Sequence, residues 1–199
     1  MLDARLRPVI DIILNPCGTF LHRCGISATQ VTIVGFGFGV AAALAVIAGM
    51  FGAAVAFIAL NRLCDGLDGA VARQAGPTDF GAYLDIVLDF IFYSAIPMAF
   101  AIYAPHNAAA AAFLIFSFIG TGVSFLAYAI LAEKRDISTD IRGKKSFYYL
   151  GGLTEGTETT ILILVICIYP PSFTYLAWGF GALCWVTTAT RIHAAAQLR

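Results

Sequence analysis

Charged residues are scarce in this chain, and their scarcity excludes an ordinary soluble domain. Of its 199 residues only 12% are charged, 60% are hydrophobic, and the mean hydropathy is +0.84. Soluble domains carry about 25% charged residues. Positive charge is not in surplus either, because 12 Lys and Arg balance 12 Asp and Glu. We therefore expect no nucleic-acid partner, since no basic excess is available for phosphate backbones.

Cysteine patterns with a covalent or metal-binding role are also missing. The five cysteines are odd in number and form no CxxC pair, so neither a disulfide framework nor a zinc site is indicated. The apolar run over residues 9–14 is short, is broken by Asp11 and lacks a small-residue cleavage site, so we expect no signal peptide. Apolar residues at helical spacing beside Asp3 and Arg7 instead predict an amphipathic interfacial helix within residues 1–25.

Long apolar runs, in contrast, follow one another almost to the end of the chain. A helix needs about 20 apolar residues to cross the hydrocarbon core of a bilayer. We therefore predict an all-α, polytopic membrane protein in which residues 1–199 form a single membrane domain. The six predicted transmembrane helices cover about residues 31–50, 53–71, 81–103, 108–131, 149–168 and 173–192.

The basic residues fall on one side of the membrane in this arrangement. The connections at residues 49–52, 104–107 and 169–172 carry no Lys or Arg. The positive-inside rule then places both termini in the cytoplasm. The densest basic cluster runs from Lys134 to Lys145, and it is interpreted either as an anchor beside anionic headgroups or as a site for a substrate phosphate.

Four aspartates interrupt the second and third predicted spans, where an ionised carboxylate costs about 2.5–3.5 kcal/mol at mid-helix. Asp65 and Asp68 fall on one stripe of the second helix. Asp85 and Asp89 are spaced by four residues and form a second stripe on the third helix. The loop at residues 74–80 is short enough to make the two helices antiparallel neighbours. The two stripes can therefore share one pocket.

Such a cluster of carboxylates requires compensating positive charge. The nearby Arg62 and Arg73 are too few to neutralise four carboxylates. Hard divalent cations take oxygen ligands from clusters of this kind, so we predict a Mg²⁺ or Mn²⁺ site. Two such ions could clamp a diphosphate during phosphoryl transfer. Intramembrane carboxylates also mark ion pathways, so a proton- or cation-coupled transporter is the alternative.

The same residues resemble the signature of the CDP-alcohol phosphatidyltransferase family, DxxDGxxAR…GxxxDxxxD. Here the signature is DGLDGAVAR from Asp65 to Arg73 and GAYLDIVLD from Gly81 to Asp89, with one residue fewer between the two halves than the usual form. The segment SATQVT at residues 27–32 also resembles the family's sequence before its first span. The resemblance implies a phospholipid-synthesis transferase that uses a CDP-activated donor and releases CMP.

The resemblance also implies roles for the motif residues. Asp65, Asp68 and Asp85 would bind the metal, and Asp89 would complete a binuclear site or act as the base toward the acceptor hydroxyl. The residues that would line the pocket for the CDP moiety are Gly69, Ala72, Arg73 and Gly81. A homodimer is implied as well, with its active site open to the cytoplasmic side of the inner membrane.

The signature predicts that the donor carries CDP, but it identifies neither the group linked to the CDP nor the acceptor alcohol. We predict CDP-diacylglycerol as the donor, with a CDP-linked polar head such as CDP-choline or CDP-ethanolamine as the alternative. The acceptors compatible with the resemblance are glycerol 3-phosphate, serine, inositol phosphate and phosphatidylglycerol. The basic cluster favours a phosphorylated alcohol such as glycerol 3-phosphate.

A second acidic pair, Glu155 and Glu158, opens the fifth predicted span. One interpretation is recognition of the acceptor, because acidic residues inside a membrane need polar partners. The other is a helix start near the cytoplasmic surface, with the two carboxylates paired to Lys144, Lys145 or the helix dipole.

Overall fold

The computed structural model describes residues 2–135 and 152–197, and every regular element in these ranges is helical. This confirms the predicted all-α class. The helices are α1 (Leu2–Arg23), α2 (Ala28–Ile47), α3 (Phe51–Ala75), α4 (Asp79–Tyr103), α5 (Ala108–Glu133), α6 (Gly156–Ile168) and α7 (Phe173–Gln197). Short 3₁₀ turns, Pro105–Asn107 and Pro170–Ser172, precede α5 and α7.

Several of these helices match the dimensions of a membrane. Within the described ranges, three segments are long and apolar enough to cross it, namely α2, α4 and Pro105–Glu133, which joins the 3₁₀ turn to α5. α3 and α7 have 25 residues each, which is about 37 Å at 1.5 Å per residue, but they carry more polar side chains. The count of six spans therefore stays a prediction.

The fifth predicted span differs most from the structure. α6 is a helix of 13 residues that begins at Gly156, whereas the apolar pattern predicts a start near residue 149. Residues 149–151 lie outside the described ranges, and residues 152–155 are not helical. The carboxylates of Glu155 and Glu158 bind backbone N–H groups at this point, which sets the helix start independently of hydropathy.

Local signals explain how the two helices that carry the aspartates are joined. Gly76 has a φ of +88°, a conformation that favours glycine, and it follows the last residue of α3. The Thr78 side chain caps α4 by accepting a hydrogen bond from the N–H of Gly81 at 3.1 Å. Only residues 76–78 therefore separate α3 from α4.

α2 supports the two helices of the motif. It packs along both α3 and α4, whereas α3 and α4 make few direct backbone contacts with each other. Gly35 allows the close approach to α3, because a Cβ there would lie 2.7 Å from the Cβ of Cys64. Val46, Ile58 and Phe100 are fully buried near the opposite ends of these helices. The motif thus occupies one end of the three-helix unit, and the apolar core occupies the other.

Candidate active site

A crevice between α3 and α4, walled by α2, contains all four motif aspartates. One carboxylate oxygen each from Asp65, Asp85 and Asp89 lies within 4.8 Å of the other two. Asp68 lines the same crevice and is buried, with 7% of its surface exposed. The structure therefore brings three of the predicted metal ligands together and places the fourth beside them, on the face that the helical spacing indicates.

α2 contributes the Thr32 side chain to this crevice. Its hydroxyl donates a hydrogen bond of 2.6 Å to Oδ2 of Asp68. The start of α2 is fixed by a reciprocal cap in which Ser27 and Gln30 bind each other's backbone N–H groups. The cap defines where α2 begins, and Thr32 lies on the second turn of the helix.

Arg62 supplies positive charge to the crevice. Its Nη2 donates a hydrogen bond to Oδ1 of Asp89 at 2.7 Å, and its Nη1 lies 3.7 Å from Oδ2 of Asp65. The Arg62 side chain is 16% exposed, so the pair with Asp89 lies largely away from water. Among the described residues that line the crevice, Arg62 is the one basic side chain.

The donor set of the crevice fits a hard divalent cation. Among the described residues of the crevice, one guanidinium faces four carboxylates. Mg²⁺ and Mn²⁺ prefer carboxylate oxygens as ligands. The three convergent carboxylates therefore offer oxygen ligands of the type that such an ion prefers, gathered within 4.8 Å of one another.

The residues predicted to bind the CDP moiety lie outside the aspartate crevice, near the junction of α3 and α4. A Cβ on Gly69 would meet only Nη1 of Arg73, at an ordinary 3.4 Å, so the surface beside Gly69 is open. Ala72 is partly exposed on the same helix, and Gly81 lies in the first turn of α4. An extended ligand would have to reach from this surface to the carboxylates.

The Arg73 side chain is turned toward α1. Its Nη2 donates hydrogen bonds of 2.8 Å to Oδ1 of Asp11 and to Oδ1 of Asn15. α1 approaches α3 closely here, because a Cβ on Gly18 would lie 2.6 Å from the Cβ of Ala70. The arginine that is expected to line the CDP pocket is thus held by the N-terminal helix.

Glu155 and Glu158 occupy the start of α6. The Glu158 carboxylate accepts a hydrogen bond from the backbone N–H of Glu155 at 3.2 Å, and the Glu155 carboxylate accepts one from Gly152 at 3.0 Å. This geometry supports the helix-start interpretation. The suggested partners Lys144 and Lys145 lie outside the described residues.

Three residues next to the carboxylates were not singled out by the sequence patterns as site residues. Thr32 binds Asp68. The Tyr93 hydroxyl accepts a hydrogen bond from Nη1 of Arg62 at 2.8 Å, and Oδ1 of Asn61 accepts one from Nε of Arg62. Tyr93 continues the spacing of four residues that relates Asp85 to Asp89. That continuation is a usable signal for Tyr93. Thr32 ends the SATQVT segment that resembles the family, but nothing in that segment assigns it to the aspartate site.

The fold and the crevice define an all-α membrane protein with a polar, carboxylate-rich site at one end of its helices. The family model described as CDP-alcohol phosphatidyltransferase matches residues 26–190. The chain belongs to the CDP-alcohol phosphatidyltransferase family. It is accordingly a membrane enzyme of phospholipid biosynthesis, which confirms the class that the motif predicts.

Similar proteins cover nearly the whole chain. Inner membrane protein YnjF of Escherichia coli (strain K12) is 51% identical over 193 residues, which are 96% of this chain and 94% of that protein. The phosphatidylinositol phosphate synthase of Mycobacteroides abscessus is 29% identical over 192 residues, or 92% and 83% of the two chains.

A solved structure shows the same fold. The phosphatidylinositol phosphate synthase of Mycobacterium tuberculosis with CDP-DAG bound superposes with a TM-score of 0.68 at 25% identity, covering 91% of this chain and 92% of that chain. The same synthase in complex with manganese and citrate also has a TM-score of 0.68, at 24% identity.

Proposed function

We propose that this enzyme transfers the phosphatidyl group of CDP-diacylglycerol to a phosphorylated alcohol and releases CMP. The main support for the proposal is the cluster of carboxylates, in which Asp65, Asp85 and Asp89 converge and Asp68 lies beside them. The choice of donor is supported by the structural relative that binds CDP-DAG. The choice of acceptor is supported by the relatives named phosphatidylinositol phosphate synthase, so inositol phosphate and glycerol 3-phosphate are the two acceptors to compare first.

In this proposal the four aspartates would hold two Mg²⁺ or Mn²⁺ ions as a binuclear site. When bound, such ions neutralise a diphosphate and stabilise the charge that develops on its oxygens. The chain's own contribution is to fix the ligands. Thr32 holds Asp68, and Arg62 holds Asp89, so two of the four carboxylates are oriented from neighbouring side chains.

The reaction balances as a substitution at one phosphorus. The acceptor hydroxyl oxygen bonds to the phosphorus that carries diacylglycerol, the bond from that phosphorus to the bridging oxygen breaks, and CMP leaves. Asp89 is also the proposed base for the hydroxyl proton, and because Oδ1 binds Arg62, Oδ2 is the oxygen available both to a metal ion and to the proton. Arg73 would donate charge-assisted hydrogen bonds to the donor phosphates.

The proposed location is the inner membrane, with both termini and the crevice on the cytoplasmic side and with the protein as a homodimer. The name of the relative with 51% identity supports the location. The exposed Lys134 and Arg135 follow the end of α5, on the same side as the aspartates at the start of α4. The positive-inside rule assigns that side to the cytoplasm.

Release of CMP by the purified protein tests the proposal. The protein in lipid nanodiscs receives CDP-diacylglycerol, Mg²⁺ or Mn²⁺, and inositol phosphate, glycerol 3-phosphate or serine in separate reactions. We expect metal-dependent CMP release with one phosphorylated acceptor, and its loss in Asp85→Asn. Asp79→Asn is the matched control, because Asp79 lies on the same helix, is exposed and is outside the crevice. Absence of CMP release in nanodiscs, together with ion flux by the same protein in sealed proteoliposomes, would contradict the proposal and support a transporter.

A further inference from the structure

Arg62 makes more contacts in the crevice than a simple ion pair requires. Its Nη2 binds Asp89 at 2.7 Å, its Nη1 binds the Tyr93 hydroxyl at 2.8 Å, and its Nε binds Oδ1 of Asn61 at 2.8 Å. All three nitrogens of the guanidinium thus have a partner, and these partners belong to α3 and α4. The group bridges the two helices that scarcely pack against each other directly.

Two aromatic rings also contact the guanidinium of Arg62, and Asn61, which binds it, is itself anchored to α2. The central carbon of the guanidinium lies 4.8 Å from the centre of the Phe92 ring and 5.1 Å from that of Tyr93. Asn61 is buried at 4% exposure and donates a hydrogen bond of 2.8 Å to the carbonyl oxygen of Gly35 on α2. Contacts with three helices therefore hold the positive charge of Arg62 beside the carboxylates.

This position places Arg62 in competition with a bound cation. Its Nη2 binds Oδ1 of Asp89, and its Nη1 lies 3.7 Å from Oδ2 of Asp65. Both carboxylates belong to the convergent set of three. A positive group next to a cation site repels the incoming ion and takes up one of its ligand atoms. Arg73, the arginine of the family signature, cannot act in this way, because it binds Asp11 and Asn15 on α1.

We propose that Arg62 is a positioning residue that serves as an internal counter-cation of the aspartate site. It holds Asp89 in place before a metal binds, and it weakens metal binding because the ion must share Asp89 with it. The inference rests on the proposed metal-dependent function. It has two consequences. Loss of the positive charge tightens metal binding, and the same loss destabilises the metal-free protein, because Asp89 and Asp65 lose the positive group that lies beside them.

The experiment measures Mn²⁺ dissociation constants by calorimetric titration of the full chain in nanodiscs. Arg62→Met and Arg62→Gln remove the charge, and Arg62→Lys retains it in a side chain of similar length. We expect Mn²⁺ to bind about tenfold more tightly to the two neutral variants and with nearly the wild-type constant to the Lys variant. Thermal unfolding is recorded in parallel with EDTA and with saturating Mn²⁺.

The unfolding data separate this role from a merely structural one. We expect the neutral variants to melt below the wild type in EDTA and to regain most of the difference in Mn²⁺. Unchanged or weaker Mn²⁺ binding, or an equal loss of melting temperature in both conditions, would overturn the inference. Failure of both variants to fold even in Mn²⁺ would also contradict it, because the metal should replace the lost charge. Absence of Mn²⁺ binding in the wild type would instead overturn the proposed function.

Discussion

The hydroxyl oxygen of Thr32 lies 2.6 Å from Oδ2 of Asp68 and 3.0 Å from the carbonyl oxygen of Ala28. A hydroxyl has one proton to donate, and a charged carboxylate at the shorter distance is the stronger acceptor. Asp68 is therefore held from α2, and the Thr32 side chain fixes the aspartate that does not belong to the convergent set of three. Thr32 is therefore part of the aspartate site, because it orients one of the four carboxylates.

Replacing Thr32 tests this relationship. Thr32→Val keeps the branched shape and removes the hydroxyl, so Asp68 loses a charge-assisted hydrogen bond worth about 1.5–3 kcal/mol. We expect the rate of CMP release to fall by about tenfold or more, with a higher Mn²⁺ requirement. Thr32→Ser keeps the hydroxyl and should retain most of the activity. Equal activity of the Val and Ser variants would show that the hydrogen bond has no part in the reaction.

The contacts of Arg73 predict a role for α1 in donor binding. Asp11 and Asn15 both accept hydrogen bonds of 2.8 Å from its Nη2. The Arg73 and Asp11 side chains are 35% and 29% exposed, so their pair contributes only about 0.2–1 kcal/mol to stability. We expect Asp11→Asn to raise the KM for the CDP donor several-fold, because Arg73 loses its orientation, while kcat and the melting temperature change little.

A double variant distinguishes orientation from general disturbance. Asp11 and Asn15 act on the same guanidinium, so Asp11→Asn combined with Asn15→Ala should change KM by a factor that is not the product of the two single factors. Steady-state kinetics of the four proteins measure this coupling. Multiplicative factors, or a lower kcat with an unchanged KM, would mean that α1 does not act through Arg73.

Much of the crevice could be predicted because it depends on spacing within single helices. Asp65 and Asp68 share a face of α3, Asp85 and Asp89 share a face of α4, and the breaker Gly76 sets the connection between them. These features are local in sequence, and helix geometry converts them directly into three dimensions. The proximity of the two acidic stripes follows from the short connection, as the structure shows.

The features that were not predicted depend on contacts between helices distant in sequence. Thr32 and Asp68 are 36 residues apart, and Arg73 and Asp11 are 62 apart. The rotation of α2 and α1 about their own axes decides these pairs. α2 is apolar around most of its circumference, so periodicity does not fix its rotation, and the amphipathic pattern of α1 gives the polar face of that helix without its partner. The resemblance implies a place for Arg73 in the CDP pocket, and nothing local in the sequence indicates its partners on α1.

The start of α6 offers a prediction about the second acidic pair. Because the Glu158 carboxylate accepts the N–H of Glu155, Glu158→Ala removes a capping contact worth about 1 kcal/mol. We expect a lower melting temperature with an unchanged KM for every acceptor, and Glu158→Gln should restore stability because its amide oxygen still accepts. A change in acceptor KM in both variants would instead support the interpretation of this pair as an acceptor site.

The packing of α1 on α3 leads to a prediction about steric fit. A Cβ on Gly18 would lie 2.6 Å from the Cβ of Ala70 and 2.8 Å from its backbone carbonyl carbon, which cannot move without shifting α3. We expect Gly18→Val to lower the free energy of unfolding by about 1–3 kcal/mol. It should also raise the donor KM, because Asp11 and Asn15 move away from Arg73 when α1 is displaced.

Gly37 provides the matched control for this steric effect. It is also a glycine inside a helix, but a Cβ there would meet nothing within 4 Å. Gly37→Val should therefore change stability by less than about 0.5 kcal/mol and leave the donor KM unchanged. Thermal unfolding and limited proteolysis of α1 in nanodiscs measure the two variants side by side. Equal behaviour of the two would mean that α1 is not held against α3 by this contact, and the coupling of α1 to Arg73 would then lack its structural basis.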